Sequence, residues 1–409
     1  MPNKTPAQTS EKASTQATQL RQIASQFVDC KAIATIEPLG NGNINSTFLV
    51  TLANSSTDPQ TNSARRFVMQ QINTEIFTQP ELVMQNMTVL SEHLKSHRQN
   101  LTQNPTQPSE NPPRRWEIPH VLQTKEGNTF FIDAEGNYWR AITFIEDSQV
   151  FDTVESVEHA KEVGHGLAMF HRLISDLPAD RLSDTLEGFH ITPTYLAKYT
   201  KVLSQWQENN HTPTSQLGDQ SEPSRDADIQ RCLSFIKQRQ DWAHVLENAK
   251  AAGHLKLRPT HGDPKVNNIM FSANGQAVGL IDLDTLKPGL IHYDLGDCLR
   301  SGCNPIGEET KDWRSVQFDT TLAQAMLEGY LSLARDFLTE QDYRYLYDAI
   351  RLIAFELGLR FFTDYLAGST YFKTDYANHN LDRALVQFQL TSSIELQADQ
   401  IKSIIESLR

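Results

Sequence analysis

The sequence predicts an α+β protein with two lobes, a small N-terminal lobe of antiparallel sheet plus one helix and a larger, mainly helical C-terminal lobe. Two observations carry this. Up to about Glu146, short β-branched and aromatic runs alternate with Gly/Asn turns around a single segment of helical period. Beyond Asp147 apolar residues recur at helical spacing almost throughout, apart from residues 255–290. The expected organisation is a flexible polar tail over 1–20, an N-terminal lobe over 21–146 and a C-terminal lobe over 147–409.

The tail assignment follows from composition, since the first twenty residues are rich in Thr, Ser, Gln and Lys and too polar to offset the entropy of ordering. Folding is expected to begin near Leu20. Residues 34–51, ATIEPLGNGNINSTFLVT, read as a strand, a Gly/Asn turn and a second strand. RFVMQQI is a third strand after a polar loop over 54–65. Pro80 then opens a helix with Leu82, Val83, Met87 and Leu90 on one face. A Pro/Gln/Asn-rich insertion over 100–113 precedes two more strands, NTFFIDA and NYWRAITFI, joined through Glu135 and Gly136. Val163, Leu167, Phe170 and Ile174 then mark the first helix of the larger lobe, in which 208–228 reads as a linker.

With 409 residues and a formal net charge of −13, the chain would repel a phosphate backbone, so no nucleic-acid partner is expected. No apolar run of about 18 residues occurs and no secretory h-region opens the chain, which implies neither a membrane partner nor export. Cys30, Cys232, Cys298 and Cys303 form no CxxC pair with histidines at zinc spacing. They read as reduced thiols of a cytoplasmic protein, with Cys298 and Cys303 as packing residues.

The chemistry is concentrated in residues 260–297, THGDPKVNNIMFSANGQAVGLIDLDTLKPGLIHYDLGD. His261, Asp263, Lys265 and Asn268 follow H-x-D-x-K-x-x-N, the polar spacing of a kinase catalytic loop. Phosphoryl transfer needs a carboxylate to orient the attacking hydroxyl and accept its proton, and oxygen ligands to hold Mg²⁺ against the phosphates. Asp263 and Asn268 answer these needs, and Lys265 is placed to neutralise charge on the transferring group. Two short strands joined at Asn274 and Gly275 then deliver Asp282, in the position of the metal-binding Asp of the D-F-G segment, and Asp284. Two residues apart on a strand, both carboxylates are expected on one side, which makes Asp284 a second metal ligand or a substrate contact. Asp294 and Asp297 are expected to hydrogen-bond the backbone or the catalytic loop.

The LGNGNIN segment supplies Gly40, Asn41 and Gly42 as a phosphate-covering loop with two glycines where three are usual. A plain hairpin turn uses the same residues. Its place between the first two strands, together with the later block, favours the phosphate loop.

With these residues in view, the chain resembles the aminoglycoside phosphotransferase and choline kinase superfamily, which shares the two-lobed protein-kinase-like fold. Within it the likeness is to the N-acetylhexosamine 1-kinases, through GNGNINSTFLV, RFVMQQINTEIF with QPELVMQNM, THGDPKVNNIMF, IDLDTLKPGLIHYDLGD and LRFFTDYLAGSTYFK. The resemblance implies ATP- and Mg²⁺-dependent phosphorylation of the anomeric hydroxyl of an N-acetylhexosamine. It implies Asp263 as the base, Asn268 and Asp282 as metal ligands, and the segment from Phe144 to Glu146 as the hinge lining the adenine pocket. Arg360 and Tyr371, with Asn43 and Asn45 of the loop, would hold the sugar. The alternative for Arg360 is an i,i+4 ladder with Glu356 and Asp364 on a solvated helix face.

The chain also departs from a protein kinase. Gln70 stands where the third strand would carry a lysine, so nucleotide binding is expected to lean on Mg²⁺, the loop backbone and Lys265. The resembled family also tends to an uncharged residue there. Ser46 follows Asn45 where that family often has Asp, H-G-D replaces H-R-D, and no A-P-E segment follows Asp282, which favours a small substrate. Two other readings stand beside the sugar kinase: an enzyme for choline, homoserine, thioribose or an aminoglycoside, and a non-catalytic nucleotide- or sugar-binding module.

Overall fold

The computed structural model describes residues 6–40, 44–53, 65–103, 114–211 and 223–409. The chain divides into two compact units. The first comprises Met1–Glu110, Glu117–Glu146 and Arg181–Leu186; the second comprises Asn111–Trp116, Asp147–Asp180 and Glu187–Arg409.

The first unit is built on an antiparallel sheet. Its strands are β1 (Ile33–Pro38), β2 (Ser46–Leu52), β3 (Arg66–Ile72), β4 (Val121–Leu122), β5 (Phe131–Ile132) and β6 (Tyr138–Thr143), ordered β1-β2-β3-β6-β4 with β5 also on β6. The period of two sorts its side chains between two faces. Phe67, Met69, Trp139 and Ala141 point to a core closed by Ile23 and Ala24 at the end of α1 (Pro6–Ala24). On the opposite face Ile72 and Tyr138 pack with Val83 and Met84 of α2 (Pro80–Gln103). The five strands read from sequence form, β5 only two residues long, and the two-residue β4 is an addition to them.

The N-terminal segment differs from the expected tail, because α1 takes up most of it. Its end buries Ile23 and Ala24, and Arg21 secures that end by donating to the Ile33 carbonyl at 2.6 Å. The expected insertion over 100–113 lies largely outside the described residues, with 100–103 closing α2. The expected linker is helical on both flanks, up to His211 and from Pro223, and its residues 212–222 lie outside the described ones.

The second unit holds α3 (Val157–Ile174), α4 (Thr192–His211), α5 (Pro223–Arg239), α6 (Val245–Ala251), α7 (Ile291–Gly302), α8 (Thr320–Ala334), α9 (Glu340–Arg344), α10 (Leu346–Leu366), α11 (His379–Leu396) and α12 (Ala398–Leu408). α3 lies along α8 so closely that a Cβ on Gly164 would sit 1.9 Å from the Met326 carbonyl oxygen. α10 is buried nearly all round and packs against α4, α7 and α11, as a helix without a polar face must. Each Leu, Ile or Phe removed from water there contributes about 1.5–3 kcal/mol before the entropy of ordering it.

Two short ribbons frame the 260–297 block. In one, β7 (Arg258–Thr260) pairs with β10 (Lys287–Gly289); in the other, β8 (Ile269–Phe271) pairs with β9 (Ala277–Leu280). Thr260 faces Lys287 and Ile269 faces Leu280, so both ends of the intervening loops are fixed.

Candidate active site

β7 delivers the chain into a tight turn at Gly262, where φ is +88°. A Cβ there would lie 2.7 Å from the Thr285 carbonyl oxygen, and the Thr285 hydroxyl donates to the His261 carbonyl at 2.8 Å. No L side chain fits that turn without displacing backbone, which explains H-G-D in place of H-R-D.

Asp294, in the first turn of α7 and with no exposed surface, accepts the amides of His261 at 2.7 Å and Gly262 at 2.8 Å and the Nε2–H of His171 at 2.8 Å. Burial alone would raise its pKa, but these hydrogen bonds and the neighbouring histidines outweigh that and hold the carboxyl below its usual range. Its sequence reading as a loop-holding residue is the role it has. His261 is clamped next. Its Nε2–H donates to the Ile281 carbonyl at 2.9 Å and its Nδ1 accepts the Asp263 amide at 3.2 Å, which defines the tautomer. Burial pushes its pKa down, so the ring stays neutral.

Asp263 emerges from this frame with its side chain 30% exposed. Lys265 Nζ lies 3.0 Å from its Oδ2. Asp263 chiefly, with Asp282 and Asp297 beyond, holds the Lys265 ammonium protonated well above its ordinary value against the cost of burial. The Asn268 Nδ2 donates to the Asp263 carbonyl at 2.7 Å, which turns the Asn268 Oδ1 the other way. The Asn268 carbonyl oxygen in turn accepts the Ile281 amide at 2.9 Å, joining the loop to the approach to Asp282.

At Asp282 the expectation needs correction. β9 ends at Leu280, and Asp282 adopts the left-handed conformation, φ 65° and ψ 61°, heading a 3₁₀ turn over Leu283–Thr285. The carboxylates therefore do not share a strand face. Asp284 is 2% exposed, too enclosed for a substrate contact. The oriented Asn268 Oδ1 and the Asp282 carboxylate are both hard oxygen donors, a set that suits Mg²⁺, which takes one or two protein ligands and completes its shell with phosphates and water.

Arg360 lies on α10, where burial would lower its pKa but Tyr195, then Glu356, Tyr371 and, least, Asp263 raise it. Its guanidinium lies over the rings of Phe189 and Tyr195, each at 5.1 Å, and of Phe372 at 5.5 Å. Among the described residues it forms no ion pair. The i,i+4 ladder does not exist, because Glu356 and Asp364 are both buried and committed elsewhere. Glu356 binds His190 and Thr192, and Asp364 accepts the amides of Thr370, Tyr371 and Phe372 at 3.0, 2.9 and 3.0 Å. The Tyr371 side chain stays open, with the residue 44% exposed.

The other expected positions belong to the first unit. Gly40 turns the chain after β1 with φ +69°, while Asn41, Gly42 and Asn43 lie outside the described residues. Asn45 Oδ1 accepts the Asn73 amide at 2.9 Å. Phe144 lies beneath the Arg66 guanidinium at 4.4 Å, and Arg66 also binds the Glu146 carboxylate. Gln70 sits in a polar row across β2, β3 and β6. Its Nε2 donates to Thr47 Oγ1 at 3.0 Å, and its Oε1 accepts from Arg140 Nε at 2.9 Å and Nη2 at 2.7 Å. Arg140, 1% exposed and missed from sequence, thus sets a buried cation against Gln70. The signal was available in YWRAI, where a single arginine interrupts a buried strand and must have a partner.

A twin ribbon carrying H-x-D-x-K-x-x-N and a following Asp, in a chain whose other unit is an antiparallel sheet with helices, is the arrangement of a phosphotransferase of the kinase-like class. A sequence profile of the phosphotransferase enzyme family matches residues 35–340, and the chain belongs to that family as a small-molecule kinase. The fold is similar to that of a choline kinase from Cryptosporidium parvum, at 13% identity over 97% of this chain and 99% of that one, with a TM-score of 0.54. It is also similar to a microcompartment-associated aminopropanol kinase, at 16% identity over 94% and 98% of the two chains (TM-score 0.53). An aminoglycoside phosphotransferase from Alicyclobacillus acidocaldarius matches at 16% identity over 95% of each chain (TM-score 0.51). Among the described residues no helix is long and apolar enough to cross a membrane.

Proposed function

We propose that the protein uses ATP and Mg²⁺ to phosphorylate the anomeric hydroxyl of an N-acetylhexosamine, giving a sugar 1-phosphate. The observation that supports this acceptor is Arg360. A guanidinium held among three aromatic rings and within the electrostatic reach of Asp263, without an ion-pair partner among the described residues, offers hydrogen-bond donors to a neutral, oxygen-rich acceptor. The same charge repels an ammonium, so choline, aminopropanol and aminoglycosides fit this side of the loop less well.

In this reading Asp263 orients the sugar hydroxyl and accepts its proton, and the Lys265 ammonium offsets charge on the transferring phosphoryl group. Asn268 and Asp282 hold Mg²⁺, which when bound neutralises and orients the phosphates. Gly40, Asn41 and Gly42 cover the phosphates, with the Gln70 and Arg140 pair supplying positive potential. Glu146 is occupied by Arg66, so adenine recognition there falls to the backbone and the Phe144 ring. Arg360, Tyr371, Asn43 and Asn45 hold the sugar, and Asp284 is left out because of its burial.

The test is an ADP-release screen over N-acetylhexosamines, hexoses, choline, homoserine, thioribose and aminoglycosides, followed by phosphorus NMR of the product. Turnover limited to N-acetylhexosamines with phosphate at O1 is the expected result. Phosphate at O6, or a preference for a cationic acceptor, would refute the sugar 1-kinase reading while leaving the phosphotransferase family intact.

A further inference from the structure

His190 and Glu356 form a buried titratable pair with no part in the transfer described above. His190 is 6% exposed and has a left-handed backbone, φ 62°. Its Nε2 lies 2.7 Å from the Gly262 carbonyl oxygen and its Nδ1 lies 2.9 Å from Glu356 Oε1. A carbonyl oxygen only accepts, so Nε2 carries a proton, and a second proton lies between Nδ1 and the carboxylate. Glu356, 1% exposed, is fixed in turn by the Thr192 hydroxyl, which donates to Oε2 at 2.7 Å.

The Gly262 carbonyl and the Asp263 amide belong to one peptide group. His190 holds its oxygen, and His261 accepts its N–H at 3.2 Å. Two imidazoles therefore fix the plane from which the Asp263 side chain projects. Gly262, the residue with the most backbone freedom, is where that plane would otherwise turn. Glu356 also lies one helical turn before Arg360 on α10, so the clamp runs from the acceptor-side helix to the catalytic loop.

We infer that His190 and Glu356 are positioning residues that lock the peptide preceding Asp263 in register with Arg360. The inference rests on Asp263 being the base. A misplacement of the base by about 1 Å costs on the order of a hundredfold in rate, whereas nucleotide binding does not depend on that peptide.

The test compares His190→Asn, which tolerates the left-handed backbone but cannot span both partners, with Glu356→Gln. The latter removes the charge, yet its amide can still donate to Nδ1 and leave Nε2–H on Gly262. With the best sugar from the screen, His190→Asn is expected to lower kcat by roughly 10- to 100-fold with nucleotide KM little changed, and Glu356→Gln to stay near the parent. A parent-like kcat in His190→Asn overturns the inference, as does an equal loss in both variants, or a His190→Asn protein too unstable to purify beside a normal Glu356→Gln. Asp263→Asn separates the two levels. If it remains fully active, the base assignment fails and takes the clamp with it; if it is inactive while His190→Asn is normal, only the clamp fails.

Discussion

Asp364 Oδ1 accepts the backbone N–H of Tyr371 at 2.9 Å, and the same carboxylate also gathers the amides of Thr370 and Phe372. The last turns of α10 thereby build the loop that presents Tyr371. Asp364→Ala strands three amides and the Asn380 side chain, which donates at 2.9 Å. The expected outcome is a loss of about 3 kcal/mol of stability in denaturant titration and a raised acceptor KM, since hydrogen bonds to a charged group are worth about 1.5–3 kcal/mol each and water recovers some of them. Unchanged acceptor KM in the folded variant would separate the loop from substrate binding.

Asp263→Asn keeps the shape of the loop and removes the proposed proton acceptor. Turnover is expected to fall about 10²- to 10⁴-fold, while Mg·ATP still raises the melting temperature. Retention of near-normal kcat would eliminate Asp263 as the base.

Arg360→Met keeps an apolar stem among Phe189, Tyr195 and Phe372 and removes the guanidinium. Acceptor KM is expected to rise about tenfold or more, with nucleotide KM unchanged, which steady-state kinetics varying each substrate will reveal. Arg360→Lys should recover little of the loss, because an ammonium has neither the planar fork nor the stacking surface. Equal effects on both KM values would place Arg360 outside the acceptor site.

Gln70→Lys restores the residue that a protein kinase carries on its third strand. Here it sets an ammonium against the buried Arg140, which now donates to Gln70 at 2.7 Å and 2.9 Å. The variant is expected to melt earlier, by about 1–3 kcal/mol of lost stability, without tighter nucleotide binding. Tighter binding at parental stability would show that Arg140 does not serve as the cation of this strand row.

Stability should also depend on pH with a definite sign. Burial depresses the pKa values of His261 and His292 below the 6.5 of the unfolded chain. Their contribution is therefore complete above 6.5 and is lost as pH falls toward their folded values, because the unfolded chain binds protons that the native rings refuse. His190 has the opposite sign. Burial opposes its charge, but Glu356 foremost, then Asp297 and the Gly262 carbonyl, raise it, so its contribution is complete below 6.5 and fades as pH rises through its folded value. Below 6.5 His190 is charged in both states and adds no slope, so the depressed histidines alone make stability fall with pH, visible as a dropping melting temperature between pH 6.5 and 5. A melting temperature that is flat or rises over that interval contradicts the neutral, buried state of His261 and His292.

The proposed catalytic block could be read from sequence because its members are near neighbours: His261, Asp263, Lys265 and Asn268 lie within eight positions, and the spacing alone sets their order along the loop. The strands of the first unit were legible for the same reason, through local alternation. Arg360 was named from resemblance, but its setting was not legible, since Phe189, Tyr195 and Phe372 reach it from separate segments and its helical neighbours Glu356 and Asp364 are drawn away by distant partners. Asp282 misled in another way. Strand periodicity was carried two residues too far, past a left-handed turn that a non-glycine residue rarely takes. The polar composition of α1 hid a helix that is anchored at its end by Leu20, Ile23, Ala24 and Arg21.

The contact between Gly262 and Thr285 has a consequence for how this block can change. The segment before Asp263 and the turn after Asp282 touch with no room for even one added carbon, and the Thr285 hydroxyl also holds the His261 carbonyl. Position-by-position randomisation of residues 261–285 should therefore return glycine alone at 262. Tolerated change at 285 should appear only in small residues that keep a hydroxyl, so the block drifts in linked pairs and not one site at a time.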